Sequence, residues 1–192
     1  MTNFFHIYKR HNKNASPFFS AGFTLIEVLV IIAIIGFMSG AMFTGQKTGE
    51  DNRKLNIDSQ KLVQNLRKAQ SYAMSAKKSD CAGNTIIPYG ISFNSSSASN
   101  YLLVADCNNN KIYDSATDVL ISTIILSDSA INSISPSSGG FLEIFFAPPI
   151  PQTYINTSVA DAVNGVITLC GKRQTALCKS IIINMRGTIS SQ

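Results

Sequence analysis

The sequence predicts an α+β fold, a long N-terminal α-helix packed on an antiparallel β-sheet head. Three observations lead there. A dense apolar run, Phe23–Phe43, lies near the start of the 192 residues. Residues 50–78 then carry apolar and small side chains spaced alternately four and three apart. From residue 80 onward, short β-prone segments alternate with Ser-, Asn- and Gly-rich stretches. One helix followed by consecutive strands is an α+β layout, not alternating βαβ units. The expected divisions are a leader at 1–22, a membrane-spanning helix at 23–43, an amphipathic continuation at 44–79 and a β-rich globular head at 80–192.

The leader holds Lys9, Arg10 and Lys13 and no acid, so it accounts for +3 of the net charge of +5. The run FTLIEVLVIIAIIGFMSGAMF that follows has the roughly 20 residues a helix needs to cross a hydrocarbon core of about 30 Å. Positive charge stays on the cytoplasmic side, which places the N-terminus inside and everything after about residue 44 outside. An ordinary secretory signal would have a shorter apolar region and a small-residue cleavage site. Gly45, Gln46, Lys47 and Thr48 follow instead.

Inside this run stands one carboxylate, Glu27. A charge near the centre of a spanning helix costs about 2.5–3.5 kcal/mol on insertion scales, and less near its end. Gly36 and Gly40, four apart, have the small-xxx-small spacing that lets membrane helices approach closely, and Gly45 and Gly49 repeat it.

The segment Ser20-Ala21-Gly22-Phe23-Thr24-Leu25-Ile26-Glu27-Val28-Leu29-Val30 resembles the class III prepilin signature of type IV pilins and type II secretion pseudopilins. The resemblance implies a pilin-like fold and a leader cut after Gly22 by a prepilin peptidase, which then N-methylates Phe23. It implies that Glu27 pairs with the N-terminal amine of a neighbouring subunit during assembly. The partners it implies are other pilin or pseudopilin subunits, the peptidase/methyltransferase, an inner-membrane assembly platform and membrane lipid. The implied location is the inner membrane, single-pass, and then an extracytoplasmic pilus or pseudopilus. An ammonium beside a carboxylate in a low-dielectric setting relieves the cost of both charges, so such a pair favours one register between subunits.

Beyond the membrane segment, Leu55, Ser59, Leu62, Leu66, Ala69, Ala73 and Ala76 form a narrow stripe whose small members let a sheet approach. Arg53, Lys54, Lys61, Arg67, Lys68 and Lys77 mark the opposite, solvated face. Strands are expected near Ile86–Phe93, Tyr101–Ala105, Val119–Leu126, Phe141–Ala147, Gly165–Cys170 and Ser180–Asn184. Asn94–Asn100 (NSSSASN) and Ser135–Gly140 (SPSSGG) read as hairpin connectors, and Pro148, Pro149 and Pro151 as strand breakers.

The head resembles, more loosely, GspH/FimT-type minor pseudopilins. The likeness rests on Tyr89-Gly90-Ile91-Ser92-Phe93, on the loop Asp106–Asp118 and on the ending Ile181-Ile182-Ile183-Asn184-Met185-Arg186-Gly187. DNA-uptake members of that family end in Gly-Arg-x-Arg. Here Gly187, Thr188, Ile189 and Ser190 stand there, so DNA capture does not follow from the resemblance.

Charge and histidine usage weigh against further classes, with a DNA-binding minor pilin for DNA uptake as the alternative reading. From Asp80 onward five basic residues face seven acids, whereas sequence-independent nucleic-acid binding needs many cations near phosphates. Both histidines, His6 and His11, lie in the leader, so the rest of the chain lacks the commonest general base and metal ligand. No catalytic constellation is expected, and no cofactor beyond one calcium candidate.

Four cysteines outside the membrane, Cys81, Cys107, Cys170 and Cys178, suit disulfides in an oxidising compartment. Of three pairings, Cys170–Cys178 is expected as a local strand-to-strand staple, with Cys81–Cys107 tying the helix end to the sheet. The calcium candidate is the segment Asp106-Cys107-Asn108-Asn109-Asn110-Lys111-Ile112-Tyr113-Asp114, with Asp106, Asn108, Asn110 and Asp114 at EF-hand-like positions. Lys111 stands where such loops use glycine, and Thr117 replaces the final Glu, with Asp118 one place late. Asn- and Asp-rich turns share this composition for conformational reasons.

Overall fold

The 3–4 spacing of the stripe is realised in a helix, α1, spanning Leu25–Met74. The computed structural model describes residues 22–81, 87–148, 152–158 and 163–192, and of residues 41–48 the backbone alone. Contacts divide the chain into a unit ending at Thr44 and a second unit, Gly45–Gln192. The leader with its histidines, the strand start at Ile86, and Pro149 and Pro151 lie outside the described residues, as does the side-chain environment of Gly45.

In the second unit, Leu55, Ser59, Leu62, Leu66, Ala69 and Ala73 are all buried, as the stripe predicts. Ala76 departs from it. The helix closes one turn earlier in a Schellman arrangement, where Lys77 N–H donates to Tyr72 O (3.1 Å) and Ala76 N–H to Ala73 O (3.1 Å). Ala76 takes the left-handed position at φ 45°, which glycine more often fills.

Among the described residues nine strands follow, β1 (Tyr89–Asn94), β2 (Asn100–Ala105), β3 (Val119–Ile125), β4 (Ser129–Ser135), β5 (Phe141–Ala147), β6 (Gln152–Ile155), β7 (Asn164–Gly171), β8 (Cys178–Asn184) and β9 (Ile189–Ser191). They build two antiparallel sheets, of order β3-β2-β1-β5-β6 and β4-β7-β8-β9. Asn94–Asn100 connects the β1–β2 hairpin as expected. SPSSGG does not make a hairpin, because the strands it joins, β4 and β5, lie in different sheets. A tight turn at Ser138–Phe141 steers the chain from one sheet to the other.

The core gathers the helix stripe and the inner faces of both sheets. Tyr89, Ile91, Phe93, Leu103, Leu142, Ile144 and Phe146 come from the first sheet, and Ile131, Ile167, Leu169, Ile181 and Ile183 from the second. The alternation in Tyr89-Gly90-Ile91-Ser92-Phe93 now has a cause. Its odd members enter the core, while Gly90 and Ser92 belong to the other face of the sheet, with Phe145 and Glu143. A Cβ at Gly90 would run into the Phe145 ring and the Ile144 carbonyl, so the central strand needs glycine there.

Candidate functional site

Gly22, Phe23 and Glu27 sit at the start of α1, which begins at Leu25 immediately after Thr24. The first helical N–H groups have no intrahelical acceptor, and a Ser or Thr side chain at the N-cap supplies one. Here the Glu27 N–H donates to Thr24 Oγ1 (3.3 Å), and the Thr24 carbonyl accepts from Glu27 N–H (3.0 Å) and Val28 N–H (3.3 Å). Thr24 and Glu27 thus have the spacing of a capping box, cap residue and third helical residue. Glu27 is the acid of the first turn.

Around this carboxylate the helix is apolar on every side. Phe23, Leu25, Ile26, Val28, Leu29, Val30, Ile31, Ile32, Ile34, Ile35, Phe37 and Met38 are all exposed. A Cβ at Gly22, Gly36 or Gly40 would meet nothing within 4 Å, so no packing among the described residues explains these glycines. Among the described residues, no helix has an 18-residue window apolar enough to cross a membrane. The side chains of 41–48, part of the expected span, lie outside the description.

Residues 19–43 match the family model of the prokaryotic N-terminal methylation motif. The chain carries a prokaryotic N-terminal methylation motif. The match covers the N-terminal segment and does not extend to the β-rich part of the chain. No curated protein and no solved structure matches the chain.

In the β-rich head, all four cysteines are paired, Cys81 with Cys107 and Cys170 with Cys178. Cys170 and Cys178 are register partners across β7 and β8. Cys81 lies beyond the helix end and Cys107 two residues past β2.

The candidate calcium loop is a series of turns closed by its own side chains. Asp106 accepts from the N–H groups of Asn110 (3.1 Å) and Lys111 (2.8 Å). Asn108 Oδ1 accepts from Asn110 N–H, Asn110 Oδ1 from Ile112 N–H, and Asp114 Oδ1 from Ala116 N–H. Asp118 closes the loop by accepting from Cys107 N–H and Asp114 N–H. Asn109 and Lys111 hold positive φ, 63° and 64°, so Lys111 takes the conformation a glycine would supply. Burial pushes the Asp106 carboxyl up, opposed by the N–H and the ammonium of Lys111. That ammonium stands 4.0 Å from Asp106 Oδ2 and donates to the Asn109 carbonyl and Oδ1. Among the described residues, no three His, Cys, Asp or Glu side chains are grouped to hold a metal. The side-chain oxygens of Asp106, Asn108, Asn110 and Asp114 thus each accept from a backbone N–H within the loop.

The basic face of α1 is partly engaged within the chain. Lys54 pairs with Glu50 (2.9 Å) and Asp128 (3.5 Å), and Lys61 donates to the Ile125 carbonyl at the edge of β3. Lys68 and Lys77 lie over the Tyr72 ring.

Two buried carboxylates were missed by the sequence reading. Asp58, placed within a polar helix, is 4% exposed and accepts from Ser129 N–H (3.1 Å) and Ser129 Oγ (2.7 Å). Glu143, within Phe-Leu-Glu-Ile-Phe-Phe, accepts from Ser92 Oγ (3.1 Å) and Tyr113 N–H (2.9 Å). Burial pushes its carboxyl up, and Asp118 and Asp106 add to the rise. Its signal was available, since an acid flanked by large apolar residues in a strand demands a partner.

Proposed function

We propose that the chain is a minor pilin or pseudopilin, a structural subunit of a type IV pilus or a type II secretion pseudopilus. One observation carries this reading. The first half of α1 exposes large apolar side chains around its whole circumference, with one carboxylate, Glu27, in its first turn. A helix apolar all round is stable only when something else covers it. Membrane lipid covers Phe23–Phe43 before assembly, with the N-terminus inside, and neighbouring helices cover it afterwards. Gly36 and Gly40 admit those helices closely. The peptidase cuts after Gly22 and methylates Phe23, and an assembly platform in the inner membrane extracts the subunit. Glu27 pairs with the Phe23 amine of a neighbour and sets the register. The loose likeness of the head to GspH/FimT-type proteins supports the minor-subunit assignment. DNA capture is the weaker reading, since the head is mildly acidic and its ending lacks the two arginines.

The test is the amount of subunit in sheared filaments relative to the membrane fraction. Glu27→Gln and Glu27→Val are expected to lower that ratio severalfold at equal expression, with cutting after Gly22 unchanged. Val removes a charge that burdens insertion, so a membrane-edge role alone predicts no loss. An unchanged ratio for both variants sinks the pairing.

A further inference from the structure

We propose that a cavity on the outer face of the first sheet binds a guanidinium or primary ammonium on an apolar stem, with the Glu143 carboxylate as counter-charge. The cavity, about 220 Å³, is lined by residues that include Ile112, Tyr113, Phe141, Glu143, Asn156 and Thr157. Drug-sized ligands occupy roughly 300–1,000 Å³, so this volume suits one side chain or a small amine.

The carboxylate supplies the chemistry. Glu143 is 6% exposed, and its oxygens accept only from neutral donors, the Ser92 hydroxyl and the Tyr113 N–H. No cation among the described residues pairs with it, and the charges acting on it, Asp118 and Asp106, have its own sign. A buried charge without a counter-charge is costly, and a cation in the cavity would remove that cost. The stem has a place too, because Phe141 (43% exposed) and Ile112 (51% exposed) form an apolar rim.

The wall is held in advance. Asn156 and Thr157 take positive φ, 46° and 67°, a conformation costly for residues other than glycine. Asn156 is fixed by accepting from Glu143 N–H (2.8 Å) and donating to the Pro136 carbonyl (2.9 Å). Such preorganisation lowers the ordering cost of binding. Helix-driven assembly uses none of these residues, so the site stands apart from the reading above.

The experiment titrates the full chain in detergent micelles with butylguanidinium and with neutral butylurea, following backbone amide shifts. Saturable shifts at Tyr113 and Asn156 are expected for the cation, with butylurea at least about tenfold weaker and Glu143→Gln weakening the cation by a similar factor. Phe141→Ser, at the exposed rim, is expected to weaken it severalfold without disturbing the fold. Equal affinity for cation and urea overturns the proposal, as does unchanged affinity in Glu143→Gln with a native spectrum. Repeating the titration on sheared filaments distinguishes the sources. Exclusion of the probe assigns the site to a neighbouring chain's Lys or Arg, and retained binding assigns it to a free amine. The micelle titration needs no filament, so a failure of assembly leaves this result readable.

Discussion

The two halves of α1 differ in where their apolar surface goes. In Leu55–Ala73 the stripe Leu55, Leu62, Leu66, Ala69 and Ala73 is buried to 2% or less, while Ile57, off the stripe, is 52% exposed. In Phe23–Met38 the large apolar side chains lie on all sides, with exposures from 43% at Ile31 to 88% at Phe37. The second half is satisfied by its own chain, and the first half has to be satisfied by something outside it. Periodicity carries the distinction, because a 3–4 stripe specifies one covered face and a continuous run specifies none.

Core truncation gives the largest expected effect on this comparison. Leu66→Ala should destabilise the head by about 2–5 kcal/mol, measured by denaturant unfolding of the full chain in detergent. Leu29→Ala should leave head stability within about 0.5 kcal/mol. Equal losses would break the comparison, since they would mean that the head also depends on the first half.

Covalent closure should rank next and act on the head alone. Cys81–Cys107 has a sequence separation of 26 and Cys170–Cys178 one of 8. Loop-closure entropy assigns them about 3.5 and about 2.6 kcal/mol. Paired serine substitutions, followed by urea unfolding, should show the longer closure costing more, with the reverse order counting against an entropic origin.

The smallest effect is expected from calcium. The loop's side-chain oxygens already accept from its own N–H groups, so millimolar calcium should leave the unfolding midpoint of the head unchanged. A midpoint that rises and saturates with calcium would restore the cage reading.

Legibility in the sequence followed the range of the interactions. β5 was readable to the residue and β3 to within one, because dense β-branched and aromatic runs need no distant information. β4 was missed. Its register shifts between Ile131 and Ser133, and this bulge breaks the period of two that marks a strand in SAINSIS. β6 lies beside a proline-rich stretch that argued against a strand, and β9 spans only Ile189–Ser191. The division into two sheets depends on pairings between distant strands, so SPSSGG was misread as a hairpin. At the N-terminus the methylation motif was legible because its members lie within a few residues of one another. Asp58 and Glu143 were hidden because their donors, Ser129 and Ser92, lie 71 and 51 positions away.

The Asp58 contact bears on the order in which the molecule assembles. Hairpins such as β1–β2 close short loops, on the order of microseconds. The carboxylate of Asp58 cannot find Ser129 until the intervening strands have been made and folded back, and long closures come late because their entropy cost precedes any reward. The docking of α1 against the start of β4 is therefore expected after the folding barrier. Asp58→Ala should speed unfolding in stopped-flow denaturant jumps and leave the refolding rate nearly unchanged. A slowed refolding rate would place this contact in the nucleus and make the helix an early organiser of the second sheet.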